Sequence, residues 1–119
     1  MPFEKKVAMY YYIEQWKHRP EWIALTPADR GKFLFDLSPT LQGLVDGGAE
    51  LVGYLINDTD THHRADFRFL RIWRIPEKEF AQRIEEALEK AGWHEFFEHG
   101  NARGEVLTPQ MAIPYLVNP

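Results

Sequence analysis

The segment from Met9 to His18 alternates in a way that predicts a β-strand with two different faces. Successive side chains of a strand point to opposite sides of the sheet. One face is mostly aliphatic and carries Val7, Met9, Tyr11 and Ile13. The other face carries Tyr10, Tyr12, Glu14, Trp16 and His18. A mixture of rings, a carboxylate and an imidazole suits a pocket wall or a protein interface better than plain packing.

After a connector that begins at Arg19, the next segment carries the signals of a helix start. Thr26 supplies an N-cap hydroxyl, Pro27 stands at the first helical position and Asp29 places an acid in the first turn. Apolar side chains keep helical spacing as far as the glycines at 47–48, at Phe33, Leu34, Leu37, Leu41, Leu44 and Val45. Because proline lacks a backbone donor, Pro39 is expected to kink this helix or to divide it after Leu37.

Two strands, a helix and a short final strand complete the pattern. Strands are predicted at Ala49–Asn57 and Asp66–Ile75, separated by a polar loop. A second helix is predicted over Pro76–Gly92, with a buried stripe of Phe80, Ile84, Ala87, Leu88 and Ala91. The last strand is expected at Glu105–Leu107, and the proline-containing tail at 108–119 is expected to be extended.

The later strands repeat the two-faced pattern. The strand Asp66–Ile75 has one face made of Phe67, Phe69, Arg71 and Trp73. The strand Ala49–Asn57 has Leu51, Gly53 and Leu55 on one face and Val52, Tyr54 and Ile56 on the other. We therefore expect one aromatic and one aliphatic face across the whole sheet.

The order of the elements predicts an α+β, ferredoxin-like βαββαβ domain with an antiparallel sheet, comprising residues 1–119. In this fold the helices cover one face of the sheet, and we expect that face to be the aliphatic one. The aromatic face would then form a larger apolar patch than monomers normally expose. A second copy is therefore expected to cover it, forming a dimeric α+β barrel.

Composition and charge argue against several classes of function. The 14.0 kDa chain has a net charge of -4 and a pI near 5.7, which gives no electrostatic footprint for nucleic acid or for an anionic membrane. With no cysteine, disulfides and thiolate chemistry are excluded, and a reducing cytoplasm is the expected location. Neither an apolar leader over Met1–Lys6 nor a run of membrane-spanning length is present, so a soluble protein is expected.

Several short runs of the chain resemble a known family. They are Arg19-Pro20-Glu21-Trp22, Leu25-Thr26, His63-Arg64-Ala65-Asp66, Ala91-Gly92-Trp93 and Asn101-Ala102-Arg103-Gly104. They resemble small bacterial domains of unknown function near the darcynin group, in the broad class of antibiotic-biosynthesis monooxygenases, EthD-like and YCII-like proteins. The resemblance implies a homodimeric α+β barrel and supplies no catalytic residues.

Arg71 is the sharpest chemical candidate. An unpaired guanidinium between Phe69 and Trp73 would be unfavourable. Either the carboxylate of Glu14 or an anionic group of a ligand is therefore expected to meet it. A structural Glu14–Arg71 bridge across neighbouring strands and a ligand-anchoring role for Arg71 both remain open.

Further candidates come from the same face and from the loops. The candidate catalytic residues are Glu14, His18 and His63. The candidate ligand contacts are Tyr12, Tyr54, Asp66, Phe69, Arg71, Trp73, Asn101 and Arg103. The tyrosines could donate phenolic hydrogen bonds to a ligand, although strand tyrosines also serve as packing residues. Asn101 and Arg103 are expected to close the pocket from a loop before the last strand.

The remaining histidines give weak signals. His62 and His63 lack the spacing of metal ligands, so no metal or other cofactor is predicted. His63 is instead expected to hydrogen-bond near Asp66, with His62 in solvent. His94 and His99 are expected at the surface.

These features predict a protein that binds a small aromatic or polyketide-like molecule. It would act as a cofactor-independent oxygenase, isomerase or cyclase, or as a non-catalytic ligand-binding or dimerisation module. A haem protein with His18, His62 or His63 as axial ligand is a third alternative. No phosphate-binding loop or serine-hydrolase elbow is present.

Overall fold

The computed structural model describes residues 9–119. Its elements are β1 (Tyr10–His18), α1 (Pro20–Ala24), α2 (Pro27–Asp46), β2 (Glu50–Ile56), β3 (Phe69–Ile75), α3 (Lys78–Ala91), α4 (Trp93–Phe96), β4 (Phe97–Glu105) and α5 (Pro109–Val117). The four strands form one antiparallel sheet in the order β2-β3-β1-β4. The predicted α+β ferredoxin-like fold is thus confirmed. The placement of Val7 on a strand face lies outside the described residues.

Helix α2 begins and ends at the predicted signals, whereas α3 ends at the predicted glycine but begins at Lys78, two residues after the predicted Pro76. The Thr26 side chain accepts a hydrogen bond from the backbone N–H of Asp29 at 3.1 Å, and Gly92 ends α3 at a φ of 80° that favours glycine. Helix α2 continues through Pro39, so the alternative of a division after Leu37 was wrong. One proline removes a single backbone donor, and the hydrogen bonds on either side hold a helix of 20 residues together.

Helices cover the aromatic face of the sheet, which corrects the prediction that they cover the aliphatic face. Tyr12, Glu14 and Trp16 of β1 are buried, whereas Tyr11 and Ile13 between them are only half-buried. The buried side chains of α3, Phe80, Ala81, Ile84 and Leu88, complete this core. Large rings remove more apolar surface from water than the aliphatic side chains do, which explains the choice of face.

The opposite surface of the sheet, which we call the outer sheet face, has no helix over it among the described residues. It consists of Tyr11, Ile13, Gln15, Lys17, Glu50, Gly53, Leu55, Leu70, Ile72, Arg74, Glu98, Gly100, Ala102 and Gly104. Because α3 packs on the aromatic face, the whole of that face is not available for the predicted dimer. In the described part of the chain, the outer sheet face is open across all four strands.

Strand β2 departs from the predicted alternation. Its register with β3 shifts between Leu51 and Gly53, so Leu51 lies opposite Trp73 while Tyr54 lies opposite Arg71. Residues directly opposite in a ladder point to the same side. The bulge therefore moves Leu51 to the helix-covered face beside Tyr54, whereas strict alternation had placed it on the other face.

The last two elements differ from the predictions. Strand β4 occupies Phe97–Glu105, the region read as an aromatic segment and a turn, and it pairs with β1 along its whole length. Gly100 fits there because the ring of Phe67 lies only 3.1 Å from the position that a Cβ atom would occupy. The tail forms α5 instead of an extended segment, because Thr108 caps the helix and Pro109 takes its first position.

Two smaller differences concern the element ends. The connector after β1 contains the short helix α1, which Pro20 begins. Strand β3 begins at Phe69, three residues later than predicted. Within residues 9–119, no helix has both the length and the apolar character needed to cross a bilayer.

Candidate ligand-binding pocket

A pocket of about 640 Å³ lies between α2 and the helix-covered face of the sheet. Seven aromatic side chains line it, namely Trp16, Trp22, Tyr54, Phe69, Trp73, Trp93 and Phe97. Among the described residues that line it, the charged or titratable ones are His18, Arg71 and the phenol of Tyr54. Its volume lies within the roughly 300–1,000 Å³ of sites that hold small molecules.

Helix α2 forms the wall opposite the sheet. Its lining residues are Leu34, Leu37, Ser38, Leu41, Gln42 and Val45, which share one helical face. In all of α2 only Leu37 and Leu44 are fully buried, and Leu34 and Val45 remain 46% and 38% exposed. The apolar stripe predicted as core thus faces an open cavity along most of its length.

The floor of the pocket is built on a buried ion pair. Glu14 and Arg71 are direct partners in the β1–β3 ladder and are 0% and 2% exposed. Arg71 Nε and Nη2 donate to the two oxygens of Glu14 at 2.5 and 2.8 Å. The indole N–H of Trp73 also donates to Glu14, at 2.8 Å. Burial alone would lower the pKa of Arg71, but the hydrogen bond and charge of Glu14 outweigh it and raise that pKa.

The guanidinium of Arg71 organises the rings around it. Its third contact is a hydrogen bond from Nη1 to the Tyr54 hydroxyl oxygen at 2.8 Å. Its central carbon lies 5.1 Å from the ring centre of Trp16, 5.7 Å from that of Trp73 and 6.0 Å from that of Trp93. These distances are those of cation–π contacts. The cation is thus satisfied by protein groups on all sides.

His99 lies behind the same wall. The prediction that it lies at the surface was wrong. Its side chain is 1% exposed. Its Nδ1 accepts from the indole N–H of Trp93 at 2.9 Å, and its Nε2 lies 2.7 Å from Asn101 Oδ1 and 3.7 Å from Glu14. An indole N–H only donates, so the neutral ring carries its proton on Nε2. Burial lowers the pKa of His99, which keeps this neutral form at pH 7.

His18 lies on the pocket wall at the end of β1. Its ring centre is 5.4 Å from that of Phe69 and 5.8 Å from that of Phe97. Partial burial, followed by the positive charges of Arg30 and Arg68, lowers the pKa of His18. The imidazole is therefore neutral at pH 7 and able to accept a proton.

The structure brings together five of the predicted site residues, which line the pocket: His18, Tyr54, Phe69, Arg71 and Trp73. Glu14 lies directly behind Arg71 and Trp73 and has its oxygens occupied by them. The other predicted residues lie elsewhere.

Tyr12 is fully enclosed in the core, and its hydroxyl has no hydrogen-bond partner within residues 9–119. Burial, with the charge of Glu14 adding to it, raises the pKa of Tyr12 well above its usual range. Arg103 pairs with Glu85 of α3 at 2.7 Å, and Asn101 contacts His99. Because both lie on β4, they do not form the predicted closing loop.

His63 and Asp66 belong to the loop before β3. His63 is exposed with a φ of 53°, and Asp66 accepts from Lys17 at 2.6 Å instead of from His63. His62 is exposed in the same loop, so His18 is the one haem-ligand candidate that lines the pocket. No group of three or more metal-ligating side chains occurs in the described part of the chain.

The fold and the pocket together define a ferredoxin-like α+β protein with an aromatic cavity under one helix. The chain belongs to a family of unknown function, DUF6616, which it matches over residues 9–118. The resemblance to small domains of unknown function is thereby confirmed. No functionally curated protein matches the chain.

Solved structures share the fold at low sequence identity. A mutant chlorite dismutase from Candidatus Nitrospira defluvii has a TM-score of 0.66 and 13% identity, over 85% of this chain and 41% of that chain. The chlorite dismutase-like protein TA0507 has a TM-score of 0.63 and 16% identity, over 94% and 50%. A dimeric ferredoxin-like protein from an uncultured marine organism has a TM-score of 0.43 and 16% identity, over 87% and 90%. The chain thus spans half or less of the two chlorite dismutase-type chains, and the likeness to these two chains shows the fold alone.

Replacing Arg71 tests the ion pair. We expect Arg71→Met to lower the free energy of unfolding by about 3–5 kcal/mol, because it leaves the Glu14 carboxylate buried without its partner. The double change Glu14→Gln with Arg71→Met should recover most of this loss, since glutamine still accepts from Trp73. Urea unfolding measures the free energy of unfolding of the single and the double variant. As a control, Arg103→Met breaks an exposed pair and should change the stability by about 1 kcal/mol at most. An unchanged midpoint for Arg71→Met would contradict the structural role.

The lowered pKa values of His18 and His99 predict that the stability of the fold depends on pH. Because the folded-state pKa values of His99 and His18 are lowered, the unfolded chain takes up protons first as the pH falls. Their contribution to stability is thus complete above a pH of about 6.5 and decreases below it. Urea midpoints measured between about pH 7.5 and 5.5 should fall, and the double variant His18→Gln with His99→Gln should flatten this fall. The same fall in the double variant would show that other groups cause it.

Proposed function

We propose that this protein binds a small, flat aromatic molecule in the pocket under α2. The observation that carries the proposal is the wall of seven aromatic side chains around a 640 Å³ cavity whose other polar lining is limited to His18, Ser38, Gln42 and Arg71 among the described residues. Offset-stacked and edge-to-face contacts favour an aromatic guest in such a wall. Apolar pockets with a few convergent polar groups are the usual form of small-molecule sites.

Blocking the pocket tests the proposal. The indole N–H signals of the protein should shift on addition of naphthalene in an NMR titration, because the ligand ring lies against the indoles. Ser38→Trp places a large side chain in the cavity from α2 and should abolish these shifts. Thr40→Trp places the same side chain on the α2–α3 side of the helix and serves as the matched control. Equal shifts in both variants, or none in the natural protein, would overturn the proposal.

The pocket supports a catalytic role through His18 and not through Glu14. The oxygens of Glu14 are occupied by Arg71 and Trp73. His18 is neutral, lines the cavity and has no hydrogen-bond partner within residues 9–119. His18 contacts Phe69, which stacks on Trp16, and Trp16 in turn contacts Tyr54. His18 is thus separated from the Tyr54 hydroxyl and by itself offers a base for removing an acidic C–H proton from a ligand. Among the predicted activities, this arrangement favours a cofactor-independent isomerase over an oxygenase or a cyclase.

Deuterium exchange tests this second candidate function. An isomerase of this type should accelerate the exchange of the acidic C–H protons of 2-tetralone in heavy water, followed by mass spectrometry. His18→Gln should remove the acceleration while leaving naphthalene binding intact within about threefold. Exchange at the buffer rate in the natural protein would contradict catalysis and favour a binding protein.

We also propose that a second copy covers the outer sheet face. Half-buried aliphatic side chains occupy its centre, among them Ile13, Leu70 and Ile72. Its cations are already balanced, since Lys17 lies 3.2 Å from Glu98 and Arg74 lies 3.4 Å from Glu50. An uncharged centre of this kind matches an identical surface related by a twofold axis.

The sheet alone is too small for a stable dimer interface, so we assign α5 to the interface as well. Four strands at ~4.8 Å spacing and about seven residues each present roughly 400 Å² in plan, whereas a stable interface takes about 800 Å² from each partner. Helix α5 has no charged residue, and its large apolar side chains are between 44% (Met111) and 78% (Leu116) exposed. Packing of α5 against the second copy would supply much of the missing area.

Light scattering tests the dimer. At micromolar concentration we expect twice the 14.0 kDa mass of the chain. Ile72→Glu places a charge at the centre of the outer sheet face and should give a monomer, and removing residues 109–119 should weaken the dimer. Gln82→Glu, on the exposed side of α3, is the control and should leave the dimer unchanged. A natural protein that is monomeric at micromolar concentration would overturn the proposal.

A further inference from the structure

On the basis of the proposed aromatic ligand, we propose that this ligand is uncharged and carries a carbonyl or ether oxygen that accepts the hydroxyl proton of Tyr54. Arg71 then polarises Tyr54 and does not anchor an anion.

The first step is the charge balance at the floor of the pocket. Glu14 and Arg71 neutralise each other through two hydrogen bonds. His99 adds no charge, because its Nδ1 has to keep a lone pair to accept from Trp93. The floor is therefore neutral as a whole, and an anion placed there would be a buried charge without a counter-charge.

The second step is the access to Arg71. Arg71 is 2% exposed, and the ring centres of Trp16 and Trp73 lie 5.1 and 5.7 Å from its guanidinium carbon. The face of an aromatic ring is electronegative, so these rings attract the cation and disfavour an anion. A carboxylate would have to displace Tyr54 or one of these rings to reach the guanidinium.

The third step is the direction of the Tyr54 hydroxyl. Its oxygen accepts from Arg71 Nη1 at 2.8 Å, so its own proton has to point away from Arg71. Tyr54 lines the pocket and is 56% exposed, and within residues 9–119 no group accepts that proton. The hydroxyl is therefore a donor that faces the cavity, and the adjacent cation strengthens it.

The fourth step is the rest of the polar lining. His18 is neutral at pH 7, and Ser38 and Gln42 of α2 carry no charge. Arg30 and Arg68 bring positive charge close to His18. Arg30 is engaged by two hydrogen bonds to the carbonyl of Leu25, whereas Arg68 is exposed. An anion could therefore be attracted to Arg68 without contacting Tyr54, so the test has to remove the charge of Arg68.

The experiment compares three probes of one ring system: naphthalene, 2-acetylnaphthalene and 2-naphthoate. Their affinities are measured at pH 7 by calorimetry, for the natural protein, for Tyr54→Phe and for Arg68→Gln. We expect 2-acetylnaphthalene to bind about tenfold more tightly than naphthalene, which is the effect of one hydrogen bond. Tyr54→Phe keeps the ring and should remove this advantage of the ketone over naphthalene, and 2-naphthoate should bind no better than naphthalene in Arg68→Gln.

The outcomes separate this inference from the proposed function. Naphthalene binding supports the aromatic pocket by itself, and its absence for all three probes would overturn both proposals. If naphthalene binds but the ketone has no advantage that depends on Tyr54, the aromatic pocket stands and the inference is wrong. Tighter binding of 2-naphthoate than of the ketone in Arg68→Gln would also overturn the inference, because it would show an anion site at Arg71.

Discussion

The buried pair of Glu14 and Arg71 is the interaction on which the pocket depends. The two residues face each other in the central ladder, so the register of β1 and β3 brings them together. Glu14 accepts a hydrogen bond from the indole N–H of Trp73, and Arg71 donates one to the hydroxyl of Tyr54. The guanidinium of Arg71 also lies against the ring of Trp16. A single charge left in these surroundings would be strongly unfavourable. The ion pair and the arrangement of the rings are therefore retained or lost together.

Local signals in the sequence predicted the order of the elements. The cap at Thr26 and the stop at Gly92 have direct physical causes within a few residues, and both were located correctly. Strand β4 was missed because Gly100 and Gly104 are typical of a turn, whereas here the pairing with β1 determines the conformation. Helix α5 was missed because its prolines suggested an extended tail, although Pro109 occupies the one helical position that tolerates proline best.

The site was predictable only in part. Alternation along β1 correctly grouped Glu14 with Trp16, and the Glu14–Arg71 bridge was one of two open alternatives. Alternation does not show which face receives the helices, because that depends on the total area buried by the assembled sheet. The wall formed by α2 was also hidden, since an apolar stripe over a cavity has the same pattern as one over a core. His99 gave no local signal, because only the pairing of β4 with β1 brings it to Trp93.

The separation of α2 from the sheet has a consequence for how this family can diversify. Only Leu37 and Leu44 of its 20 residues are fully buried, while Leu34, Ser38 and Val45 face the cavity. Substitutions at such partly exposed positions change the free energy of unfolding little. They would nevertheless reshape one whole wall of the cavity while the floor stays constant. Related chains could therefore differ in the size and shape of this cavity through α2 alone, without any change in the sheet that holds Glu14 and Arg71.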